Sequence, residues 1–216
     1  MSESHVARSH APKLGAAVVT VTALVGVLVS LGVSVAVVAG IAQVARSAAE
    51  QLTATEVGPV DHATVNESME ILTGKMDGHP GWPRYTHTSW TVREGQTVVL
   101  RITSYDDGTA PLTGAQTMYD RVQGTLGGTE TVDGKPVSSL PNADVAHTFT
   151  VVGLGLNLGI PAAPTGGSVT VVARFVARRP GTFVWQCYAP CGSGPNSMGG
   201  AMSTMGWMEG TVRVLP

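Results

Sequence analysis

Two cysteines, Cys187 and Cys191, stand four residues apart in the run Phe183-Val184-Trp185-Gln186-Cys187-Tyr188-Ala189-Pro190-Cys191-Gly192, and the chain has no others. Met198, Met202, Met205 and Met208 follow them closely. Thiolates and thioethers are soft donors, and soft donors select copper over harder metals. An imidazole is available upstream at His147, but no histidine follows Cys191. Each of these residues also has a purely structural reading. Methionine fills irregular apolar gaps, so Met202, Met205 and Met208 are read first as core and Met198 as a donor. Without metal, the two thiols in an oxidising compartment would close into a disulfide, provided their Cα atoms approach within about 7 Å.

The elements that must position these groups are β-strands. Alternation and β-branching mark strands over residues 89–92, 97–103, 147–152, 168–177, 181–186 and 210–215. Residues 108–143, rich in Gly, Thr, Pro and Asp, form a long excursion with short strands, and residues 161–167 a turn. Val65, Met69, Ile71 and Leu72 give a helical hint ahead of the first strand, in a segment over residues 46–85 that otherwise reads as linker. Many short strands separated by Gly/Pro turns, with few helices, predict a β-sandwich or barrel over residues 86–216. In such a fold His147 opens one strand, while Cys187 ends another and starts a long loop.

The two-cysteine motif, with Asp144, Val145, His147 and Phe149 upstream and Arg179-Pro180-Gly181 before it, resembles the copper-A domain of cytochrome c oxidase subunit II. The resemblance covers residues 89–214 and is specific near His147 and over residues 179–198. It implies an all-β, cupredoxin-like Greek-key β-sandwich or barrel with an N-terminal membrane anchor and an external domain. In that family an upstream His, two bridging Cys, a second His and a Met hold two copper ions. The centre takes electrons from cytochrome c and passes them to haem. Position by position, His147 matches the upstream ligand and Cys187 and Cys191 the bridging thiolates. Met198 falls where the family has its Met. The second His is replaced by Pro195, which has no side-chain donor and no backbone N–H. Ala189 stands where the family has Glu, a smaller change, because that residue lends a backbone carbonyl.

Three functions are compatible with the altered set. The first is a copper centre of one or two ions, held by His147, Cys187, Cys191 and Met198, in an electron-transfer subunit; His62, His79 and His87 are further imidazoles that the fold could bring in. The second is a Cu(I) carrier. The third is a copper-free structural or interaction subunit with a Cys187–Cys191 disulfide. Trp185 and Trp207 flank the loop and are read as packing, while Tyr188, between the cysteines, either covers the site or is exposed.

The chain has 216 residues, 43% hydrophobic and 13% charged. Residues 14–45 carry no charge and are dominated by Val, Ala, Leu and Gly, longer than the roughly 20 apolar residues that cross a bilayer. A single transmembrane helix is expected there, after a short tail over residues 1–13. Arg8 and Lys13 before the span, against Arg46 after it, place the tail in the cytoplasm and the C-terminal domain on the periplasmic or extracellular side. The expected partners are therefore the membrane, a multi-subunit membrane oxidase or other redox complex, and a cytochrome or small redox protein as donor. From Gln51 onward there are 10 basic and 13 acidic residues, a net of −3, which gives no basic surface for nucleic acid. No phosphate-cradling Gly motif, metalloprotease His pair or catalytic carboxylate pair is present, so catalysis by the chain alone is not expected.

Overall fold

A computed structural model describes residues 63–216. The helix expected over residues 14–45 lies outside the described residues. Among those described, no helix is long and apolar enough to cross a membrane.

Among the described residues, eleven strands form two mixed sheets. The first contains β1 (Thr64–Leu72), β2 (Arg84–Tyr85), β4 (Thr97–Ser104), β5 (Glu130–Val132), β6 (Lys135–Val137) and β9 (Val169–Val176), in the order β2-β1-β4-β9-β5-β6. The second contains β3 (Ser89–Arg93), β7 (Val145–Val151), β8 (Leu156–Pro161), β10 (Gly181–Gln186) and β11 (Glu209–Leu215), in the order β3-β11-β10-β7-β8. Two pairs are parallel, β1 with β4 and β3 with β11. The sheets pack face to face. Trp90 of β3 meets Phe175 of β9 at a ring separation of 6.5 Å, and Tyr85 of β2 meets Trp185 of β10 at 4.9 Å and Phe149 of β7 at 6.3 Å. Tyr85, Phe149, Phe175 and Trp185 are all buried. Burying a large apolar side chain stabilises a fold by about 1.5–3 kcal/mol, and these four rings sit at the centre of the sandwich.

The helical hint at residues 65–72 is overturned. The segment is β1, paired along its length with β4. Its decisive pattern has period two, with Met69 and Ile71 buried while Ser68 and Glu70 between and before them are not. The sheet thus begins at Thr64, inside the segment expected as linker. β8, unassigned from the sequence, is a short and almost wholly buried run.

Every residue of β7 is buried, because the excursion before it folds back over the outer face of the second sheet. Asn157 of β8, itself buried, staples it there: its amide donates to the carbonyls of Tyr119 (3.0 Å) and Arg121 (2.7 Å), and its Oδ1 accepts from Thr150 Oγ1 (2.6 Å). Ala110 N–H donates to the Val145 carbonyl at 2.7 Å. The excursion carries Asp106 and Gln116 to the end of the sandwich where His147 and the cysteines lie.

Candidate metal centre

His147 sits near the start of β7, just after a register shift between Val145 and His147 in the pairing with β8. Such a bulge inserts an extra residue and re-aims its neighbours. On the adjacent strand, β10 ends at Gln186, opposite Thr150 of β7, and the chain passes directly into Cys187. Three bonds fix this exit. Cys187 N–H donates to the Met208 carbonyl (2.9 Å), Tyr188 N–H to Thr148 Oγ1 (2.8 Å), and Thr148 N–H to Cys187 Sγ (3.3 Å). The loop then tightens on itself, with Cys191 N–H to the Ala189 carbonyl (2.8 Å), Gly192 N–H to the Ser197 carbonyl (2.8 Å), and reciprocal backbone bonds between Ser193 and Gly199.

The result brings a nitrogen of His147 and the sulfurs of Cys187 and Cys191 within 4.8 Å of one another. His147 and Cys187 are fully buried and Cys191 partly so. The two sulfurs are 3.4 Å apart, well beyond the roughly 2.05 Å of a disulfide, and both thiols are free. His147 Nε2 lies 3.0 Å from Asp106 Oδ2. Its Nδ1 is buried without a hydrogen-bond partner. A ligating histidine commonly gives its second ring N–H to a carboxylate, which fixes the tautomer and the ring. With Nε2–H committed to Asp106, Nδ1 is the atom left for a metal.

The charges are set by competition with burial. Burial lowers the affinity of His147 for its proton, yet the hydrogen bond to Asp106 and the influence of Cys187 outweigh it and raise the pKa to about 9. Burial would raise Cys187, but bonding from Cys191 and His147 brings it well below the usual thiol value. Cys191 moves the other way, raised first by its bond to Cys187 and then by burial. These directions favour a thiolate at Cys187 beside a protonated His147, with Cys191 as the thiol. Metal ligation requires deprotonated sulfur and neutral imidazole, so loading would release protons.

A third sulfur is present. Met202, fully buried on a 3₁₀ turn over Gly200–Ser203, places its Sδ 3.1 Å from Cys191 Sγ. Met198 is half-buried, and its Sδ lies 3.7 Å from the Gln116 amide nitrogen, which also donates to the Tyr188 carbonyl (3.1 Å). Met208 is buried and Met205 is 55% exposed. Of the upstream imidazoles, His79 lies edge-on to Trp207 at 4.8 Å and His87 faces Glu67 at 3.9 Å; neither belongs to the cluster of His147 with the thiols. His62 lies outside the described residues. Trp185 packs in the core and bonds the Thr88 carbonyl through Nε1 (3.1 Å), and Tyr188 stacks on Tyr119 with centroids 4.6 Å apart. A cavity of about 510 Å³ opens beside the cluster, and Asp106, His147 and Cys191 form part of its wall.

Sequence patterns pass over Asp106 and Gln116. Asp106 reads simply as the end of β4, 41 residues before its partner His147, and Gln116 lies 82 residues before Met198. Nothing local in the sequence marks either pairing.

No family model and no curated protein matches the chain. Solved structures similar to it include rusticyanin from Thiobacillus ferrooxidans, at 14% identity and a TM-score of 0.35, covering 71% of this chain and 79% of that one. A multicopper oxidase, mgLAC, is similar at 16% identity and 0.32, covering 71% and 39%. A chain of a heme-copper terminal oxidase dimer is similar at 15% identity and 0.29, covering 85% and 95%. TM-scores this low assign no family.

Proposed function

We propose that this chain binds copper through Nδ1 of His147 and the sulfurs of Cys187 and Cys191, with a methionine thioether from the same loop, and serves as an electron-transfer subunit. The observation that carries this reading is the buried cluster itself, one ring nitrogen of His147 and two free thiols within 4.8 Å of one another, with His147 Nε2 held by Asp106. One nitrogen and several soft sulfurs fit copper by ligand type. When bound, copper supplies one-electron redox chemistry. The chain's own part is to hold the donors. Asp106 fixes the His147 ring, Thr148 N–H supports the Cys187 sulfur, and burial excludes water from all but the cavity side.

Met198 is the thioether that the likeness to oxidase subunit II favours; Pro195, exposed on the loop, offers no donor where that family has its second histidine. In this reading residues 14–45 anchor the chain and its cupredoxin-like domain stands outside the membrane. The partner is a membrane oxidase or another redox complex, fed by a cytochrome or small redox protein.

Metal analysis with optical and EPR spectra of the full-length protein tests this. The expected result is one or two coppers per chain with thiolate charge-transfer bands that vanish in Cys187→Ser. A second reading has its own support. Sulfurs 3.4 Å apart need little movement to close into a disulfide, which would leave a copper-free interaction subunit. Metal-free protein with no titratable thiol would establish that alternative. Copper held only as exchangeable, spectroscopically silent Cu(I) would make the chain a carrier.

A further inference from the structure

We infer that Met202, eleven residues after Cys191, supplies the thioether of the copper site in place of Met198. The inference rests on the copper reading above and specifies its fourth donor.

The sulfur of Cys191 neighbours those of both Cys187 and Met202. Cys187 and Cys191 are 3.4 Å apart, and Cys191 and Met202 are 3.1 Å apart, the shorter of the two spacings. Met202 is fully buried, so its sulfur is sheltered from solvent as a ligand must be to hold a soft ion against water. The backbone around it is held in place. Gln186, the residue before Cys187, donates its side-chain amide to the Met202 carbonyl at 3.1 Å, which ties the Gly200–Ser203 turn to the strand that delivers the first thiol.

Gly192 makes room on the other side. A Cβ there would stand 2.5 Å from Met202 Cγ and still closer to the Gly199 carbonyl, so only glycine after Cys191 lets Met202 approach. Met198 has a different neighbour, the Gln116 amide, which points an N–H at its sulfur. That contact sets Met198 Sδ against the Gln116 side chain, whereas Met202 Sδ lies against Cys191 Sγ.

Replacement of the family's second imidazole by Pro195 therefore leaves a shell richer in sulfur, with three soft donors and one nitrogen. Such a set favours Cu(I), the softer oxidation state.

Copper-edge X-ray absorption on selenomethionine-labelled full-length protein separates the methionines, because only a selenium bound to copper gives a copper–selenium signal. Loaded wild type and Met198→Leu should both show it, and Met202→Leu should lose it. Cu(I) affinity, measured by chelator competition, should fall at least about tenfold in Met202→Leu, the lower end of what weakening a metal site's supporting contacts costs, and stay within twofold of wild type in Met198→Leu. The Met198→Leu arm does not depend on whether a core variant folds. A signal lost in Met198→Leu and retained in Met202→Leu would overturn the inference and leave the copper reading intact, as would copper bound with no selenium neighbour in any sample. Failure of wild type to take up copper would overturn both.

Discussion

At the scale of single residues, two of the buried ionisable groups, His147 and Glu130, have opposite meanings. His147 has Asp106 on one ring nitrogen and no close hydrogen bond on the other, an arrangement suited to holding a metal beside Cys187 and Cys191. Glu130 of β5 is buried, and neither carboxylate oxygen has a hydrogen bond of good geometry. Burial, offset only in part by the Gly159 N–H, raises its pKa from 4.5 to about 8. A carboxyl that keeps its proton in the fold but loses it in the unfolded chain contributes nothing below pH 4.5. It destabilises the fold increasingly as pH rises toward 8, by a few kcal/mol in all. Glu130→Gln keeps the shape and removes the titration. The difference between the melting curves of variant and wild type should therefore grow from pH 5 to pH 8 in the variant's favour, by several degrees in Tm, and then level off. His147 and the cysteines titrate in both proteins and cancel in that difference. Parallel curves across the range would show that Glu130 is ionised in the fold.

At the scale of elements, the loop between β10 and β11 is built around close approaches, and Gly192 is the tightest of them at the site. Gly192→Ala puts a methyl group against the Gly199 carbonyl and Met202 Cγ. Overpacking of this kind costs about 1–3 kcal/mol, so Tm should drop by several degrees. The site should suffer with it, losing Cu(I) affinity because Met202 is pushed from Cys191. A variant with wild-type stability and affinity would mean that the loop has slack which the close contacts deny. The same loop shows where sequence was sufficient and where it was not. β3, β4, β9, β10 and β11 were legible to within about two residues at each end, because they alternate and are punctuated by Gly, Pro or charged turns. β1 was misjudged since Leu72, at its half-buried end, mimics a helical spacing with Met69. β8 does alternate, Leu156-Asn157-Leu158-Gly159-Ile160, but Asn157 and Gly159 read as turn residues, and the burial of Asn157 under the stapled excursion is set by long-range contacts. The cysteine pair and His147 stand out by type and spacing. Asp106, Gln116 and the close approach of Met202 exist only once long-range pairings have formed, 41 and 82 residues apart in the first two cases.

At the scale of the whole molecule, the site and the uncharged segment constrain one another. Free thiols 3.4 Å apart would be lost to a disulfide in an oxidising compartment unless something holds them. A domain outside the membrane must therefore either carry metal at Cys187 and Cys191 or oxidise them. Residues 14–45 give the membrane half of the same statement. The proposed reading has this uncharged run insert in the bilayer, with Arg8 and Lys13 keeping its N-terminal end in the cytoplasm. The full chain should stay with membranes through alkaline extraction, and deletion of residues 14–45 should move it to the soluble fraction. A phosphatase reporter that works only outside the cytoplasm should be active when fused after Pro216. Reversal of the bias, with Arg8 and Lys13 changed to Gln and two lysines added after Arg46, should reduce that activity and leave membrane attachment intact. The topology test also reports on the thiols. With the domain outside, thiols left free in metal-stripped protein should oxidise, whereas copper-loaded protein should resist. An inactive reporter on a chain that still stays with membranes would place the cysteines in a reducing compartment, where metal is no longer needed to keep them apart and the electron-transfer reading loses its external donor.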